Sequence, residues 1–152
     1  MYLLKINTLV LIIFMTVSQI SISYGAEKYL SLKKNKVNVR YGPSFEFPIK
    51  YTYQKKNLPL KQIDKKENFR RIIDHKKNSG WIHISQLKKI NSVITTKEKI
   101  MFKKSSIFSK PIAKIKKGRL LIIQKCVDKW CKVKTDHITG WIDKNDLWGE
   151  VK

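Results

Sequence analysis

A chain of 152 residues has room for one domain of ordinary size or two very small ones. Hydrophobic residues make up 42% of it, which excludes a globally disordered chain, and 33 Lys+Arg against 11 Asp+Glu leave a net charge of +22. That imbalance favours anionic partners such as nucleic acid, phospholipid or an acidic wall polymer. The plain alternative is a solvated basic surface that follows from a Lys-rich composition.

The first residues read as an address, not as part of a fold. Lys5 and the terminal amine make a positive start, and no charge appears from Ile6 through Ala26. Small residues then gather at Ser18, Ser21, Ser23 and Gly25, with Ser23-x-Gly25 or Tyr24-x-Ala26 as the cleavage frame, the second disfavoured by its Tyr. The pattern predicts a signal peptide over residues 1–25, cleaved after Gly25, and a periplasmic or otherwise exported mature protein. The alternative, an uncleaved membrane anchor, is weakened by the polar interruptions of the apolar run.

After a lead-in at Glu27 to Leu32 and a lysine-rich approach, Val37 and Val39 alternate with Asn38 and Arg40, the period of a half-buried strand. Gly42-Pro43-Ser44 breaks it. Phe45, Phe47, Pro48 and Ile49 form an apolar loop, and Tyr51 to Tyr53 is β-prone. Pro59 marks the next strand as an edge or as a strand start. Phe69 to Ile73 is a further strand, followed by a turn at His75 to Ser79 and the Gly80-Trp81-Ile82 strand, which ends at Leu87. No stretch keeps a helical apolar period, so the half is all β.

The second half echoes the first. Val37 matches Ile100 and Pro48 matches Pro111, 63 apart; Phe69 matches Trp130 at 61; Gly80, Trp81, Ile82 and Leu87 match Gly140, Trp141, Ile142 and Leu147 at 60. Two units are therefore expected, residues 28–88 and 98–149, joined by a short linker from Lys88 to Lys99 and close enough to touch. The second unit carries Met101, Lys103, Ser105 and Ser106 where the first has Asn38, Arg40, Gly42 and Pro43.

The run from Val37 to Ser44, then Pro48-Ile49-Lys50, Asn68 to Ile72 and Gly80-Trp81-Ile82-His83, resembles the bacterial SH3-like (SH3b) family, above all its exported type with two units in tandem. The resemblance spans nearly all of Leu30 to Gly149. It implies an all-β protein of two small, partly open five-stranded SH3-like barrels. It also implies a cell-envelope role, since such units commonly bind cell-wall peptides or accompany wall hydrolases.

Cys126 and Cys131 have four residues between them, enough for a tight turn between antiparallel strands. A cross-strand disulfide there suits an oxidising compartment and would contribute about 2 kcal/mol. Free thiols are the alternative, as is a metal half-site, although only His137 lies near enough to add a ligand. Catalysis has little to stand on. His75, His83 and His137 are read as surface or loop residues, Asp143 and Asp146 as turn caps, and no phosphate-cradling Gly loop exists. No catalytic residue, metal ligand or cofactor is expected.

Binding chemistry is better supplied. Arg40, Tyr41, Phe45, Glu46 and Phe47 surround the Gly42-Pro43 break. Aromatic faces hold extended peptides because rigid rings give contact area at small entropy cost. Arg40 and Glu46 could fix a peptide's charged ends. These five are the candidate ligand-binding residues, with the second unit bracing the first; the alternative is that Tyr41, Phe47 and Trp81 plug a small core. Two functions follow: an exported non-catalytic module for cell-wall peptide or an envelope protein segment, or an electrostatic adaptor gripping anionic membrane or polymer through Lys33 to Lys36 and Lys114 to Arg119. Nucleic acid is not expected as a partner, because export removes the protein from it.

Overall fold

Short β-prone runs cut by polar turns build strands throughout, and the structure, a computed structural model describing residues 28–150, is all β apart from one 3-10 turn at Ile84–Gln86. The expected signal peptide lies outside the described residues. The first sheet comprises β1 (Lys28–Leu32), β2 (Val37–Arg40), β3 (Ile49–Tyr53), β4 (Pro59–Lys66), β5 (Phe69–Ile73), β6 (Ser79–His83) and β7 (Leu87–Lys89). Its order is β3-β2-β6-β5-β4-β1-β7. The second comprises β8 (Ser92–Thr95), β9 (Lys99–Phe102), β10 (Pro111–Ile115), β11 (Leu120–Val127), β12 (Trp130–Thr135), β13 (Ile138–Asp143) and β14 (Leu147–Trp148). Its order, β10-β9-β13-β12-β11-β8-β14, retraces the first. These are tandem SH3-like units, each an antiparallel sheet.

Each sheet has seven strands where five were expected. The Glu27 to Leu32 lead-in supplies β1, which pairs with β4 through Leu30 and Leu60 and with β7 through Leu32 and Leu87. The expected Lys88 to Lys99 linker is mostly strand as well: β8 lies inside it and all four of its residues are buried. Pro59 opens β4, which is paired on both sides, so the proline marks a strand start and not an edge.

The register of the repeat also differs from the sequence alignment. Arg40 faces Trp81 across β2 and β6, and Phe102 faces Trp141 across β9 and β13. Val37 therefore corresponds to Lys99, not to Ile100. A one-residue slip exchanges the two faces of a strand: Ile100 is exposed, Met101 is core, and Lys99 is only 7% exposed. The Lys99 ammonium ends on Asp143 Oδ1 at 2.8 Å and donates to the Asn145 carbonyl at 2.7 Å. Alternation misled here because the apolar Ile100 looked like the inward residue.

Val37, Val39, Leu58, Leu60, Ile72 and Ile82 fill the first core, and Met101, Leu121, Cys131, Val133 and Ile142 the second. Gly80 and Gly140 keep the strands close enough for this: a Cβ on Gly80 would collide with Val39, and one on Gly140 would lie 2.5 Å from the Met101 side chain. The units are not separate bodies in their packing. Ile94 of β8 belongs to the first core, with Leu120 and Trp148 against it. Buried Ser31 and Ser92 share a hydroxyl contact of 3.0 Å across the seam, and Ser92 donates to the Asn57 carbonyl.

Candidate functional site

Residues of β2, β5 and β6 that alternate away from the core form an outer face. Asn38 and Arg40 stand beside Trp81 and His83, and Phe69 faces His83 across β5 and β6. The loop after β2 folds back over this face. Arg40 holds it there, its guanidinium donating to the Phe45 carbonyl at 3.0 Å and the Phe47 carbonyl at 2.6 Å. The Phe47 ring lies on Gly42, where any Cβ would fall 2.5 Å from the ring, so the loop needs glycine at this close approach.

Thus anchored, Phe45 is 64% exposed yet packs at its edge. Its ring centroid lies 5.2 Å from Phe69 and 5.1 Å from His83, with the Arg40 guanidinium 5.4 Å from the ring. Between loop and sheet runs a groove of about 270 Å³ lined by Lys34, Lys36, Asn38, Arg40, Phe45, Phe69, Trp81, His83 and Gln86. Its lining holds three basic side chains and no carboxylate. On the other side of Arg40 and Trp81 a second hollow is lined by Tyr41, Lys50 and Arg71, with the Lys50 ammonium 5.5 Å from the Tyr41 ring.

The structure divides the five candidates. Arg40 and Phe45 line the groove; Tyr41, 61% exposed, belongs to the second hollow and is not a core plug. Phe47 builds the loop, and Glu46, exposed, lines neither hollow. Arg40 uses donors on the loop itself, so much of its hydrogen bonding is spent on positioning. Tyr51 and Tyr53 turn towards the core, where Tyr53 donates to buried Asp74 at 3.0 Å and burial raises both phenols above their usual pKa. Sequence reasoning missed Phe69, His83 and Gln86, and it read Lys34 and Lys36 only as part of the Lys33 to Lys36 cluster of the electrostatic adaptor. The signal for the first two was strand alternation: both share the parity of Trp81, opposite to Ile72 and Ile82.

The corresponding face of the second unit is filled differently. Phe102, in the place of Arg40, packs edge-on against Trp130, in the place of Phe69, at 5.7 Å. Both cysteines are joined in a disulfide, and no cysteine among the described residues is free.

Comparison with known families matches the bacterial SH3 domain at residues 33–89 and again at 97–149. Among solved structures, the chain is similar to NlpC2 from Trichomonas vaginalis at 15% identity and a TM-score of 0.38, over 84% of this chain and 50% of that one. NlpC1 from the same organism is similar at 14% identity and a TM-score of 0.38, over 86% of this chain and 48% of that one. The chain thus spans about half the length of these structures. No curated protein matches.

Proposed function

Since the chain belongs to the bacterial SH3 domain family, we propose that it is an exported, non-catalytic binding module whose first unit receives an extended, carboxylate-bearing peptide, from the cell wall or from an envelope protein. The observation that carries this reading is the groove under Phe45, whose lining combines the rings of Phe45, Phe69, Trp81 and His83 with Lys34, Lys36 and Arg40 and contains no carboxylate. Rings hold a peptide backbone by contact area, and the lysines favour acidic groups on it. Asn38 and Gln86 add amide donors and acceptors for the backbone. Export rests on the apolar amino-terminal pattern; the intact mass of the envelope protein should match a chain beginning at Ala26 or Glu27, and a full-length mass would refute export.

The test is retention on purified wall sacculus and titration with its soluble peptides, at low and high salt. Phe45→Ala and Trp81→Ala should each weaken binding by about 1–2 kcal/mol without loss of fold. Binding that survives both substitutions would remove the groove from consideration. Binding that collapses in salt while ignoring them would favour the electrostatic adaptor, which uses the excess of Lys and Arg alone.

A further inference from the structure

The loop after β9 is the counterpart of the groove loop, but it points its apolar side chains outward. On the face that the groove loop covers in the first unit, Phe102 packs against Trp130 instead. Ile107 is 67% exposed and Phe108 93%. Their exposure is built, not frayed. Lys103 N donates to the Lys110 carbonyl at 2.9 Å, closing the neck. Lys104 N donates to Ser109 Oγ at 2.9 Å, Phe108 N to Ser106 Oγ at 3.2 Å, and Ser109 N to the Ser106 carbonyl at 3.1 Å. Serines thus hold the backbone of the tip, and exposed Lys103, Lys104 and Lys110 flank its two apolar residues with no carboxylate between them.

We propose that this tip is a membrane-surface anchor: Ile107 and Phe108 enter the headgroup region of an anionic phospholipid bilayer, and the three lysines contact its acidic headgroups. The two requirements of peripheral binding, an apolar wedge and adjacent positive charge, meet in one eight-residue loop. Charge complementarity selects the bilayer over a second copy of this chain, whose own tip carries the same positive charge. The lysine stems also reach along the apolar boundary while their ammonium groups stay in water. Among the described residues no helix is long and apolar enough to cross a membrane. The second unit then orients the groove of the first, instead of only bracing it.

Vesicle flotation of the protein recovered from the envelope tests this, with phosphatidylcholine alone and with an equal mixture of phosphatidylglycerol and phosphatidylcholine. The protein should float with the mixed vesicles and far less with the neutral ones. Ile107→Ser with Phe108→Ser should lower partitioning at least roughly tenfold. Replacing Lys103, Lys104 and Lys110 by Gln should lower it on the order of 100-fold, at about fivefold per lysine. Phe45→Ala should leave flotation unchanged, which separates this anchor from the peptide groove. Wild-type flotation of the double serine variant would overturn the proposal, as would loss of flotation in Phe45→Ala. Self-association that the serine substitutions abolish, without any effect on flotation, would reassign the tip to contacts between copies.

Discussion

Lys99 shows what a single side chain decides in this protein. It occupies a core position of β9, with its ammonium ending on Asp143 and the Asn145 carbonyl. Removing the partner leaves a buried ammonium with less compensation than removing the pair's cation altogether. Asp143→Ala should therefore destabilise by about 2 kcal/mol, moderated because Asp143 is partly exposed, and Lys99→Met should cost less. Denaturant unfolding measures both; equal losses would show that the ion pair is not the determinant. His75 supplies a second test. Burial holds its imidazole below the ordinary pKa of 6.5, with Asp74 opposing the shift. The unfolded chain then takes up the proton first, so stability is full above the unfolded pKa and falls as pH drops through about 6.5 towards the lower folded value. His75→Gln should flatten the unfolding midpoint against pH from neutral to about pH 5; an unchanged slope would assign it to other groups. At this scale the sequence was partly legible. The aromatic cluster at Phe45 pointed to the right loop, but nothing in a linear reading separates Arg40 as a loop clamp from Arg40 as a ligand clamp, since that depends on which carbonyls lie within its reach.

Among the elements, the β11–β12 hairpin is the most constrained. Val127 pairs with Trp130 around a turn at Asp128 and Lys129, and Cys126 lies opposite Cys131 with a Cα separation of 4.1 Å. Asp128 adopts a positive φ of 48°, a conformation that Asp tolerates better than most residues. Reduction should cost about 2 kcal/mol by loop entropy and lower the melting temperature; no change on reduction would leave the bridge without a stabilising role. The hairpin was legible from Cys spacing and alternation. Strands β1 and β8 were not, and for a physical reason. Ser92-Val93-Ile94-Thr95 is buried at every position, so it lacks the polar-apolar alternation by which a half-buried strand is recognised. No 3.6-residue apolar period runs through the first unit, and the lack of an α-helix among the described residues was the most readable feature of the fold.

The two sheets unfold together if the seam is as continuous as its packing. Ile94 belongs to the second sheet by hydrogen bonding and to the first core by burial. Ile94→Ala should cost about 2–4 kcal/mol and loosen the first unit, seen as faster amide exchange in β4 around Leu60. Confinement of that loss to β8 and its neighbours β11 and β14 would show the units to be energetically separate. The duplicated plan was visible in the sequence because Gly-Trp-Ile recurs with strand-forming flanks. The groove was not, since its lining runs from Lys34 to Gln86 and converges only when β2, β5 and β6 lie side by side.

Two like-shaped neighbours in one polypeptide carry a hazard during synthesis, because equivalent strands compete for the same slot. The ammonium at the head of β9 discriminates between those slots. Seated in the first sheet, Lys99 would take the place of Val37 among Leu32, Leu60 and Ile72, and the position matching Asp143 there is His83. Seated in the second, Val37 would leave Asp143 without its cation. Exchange of β2 and β9 would therefore carry an electrostatic cost in both directions, which would favour each strand in its own sheet.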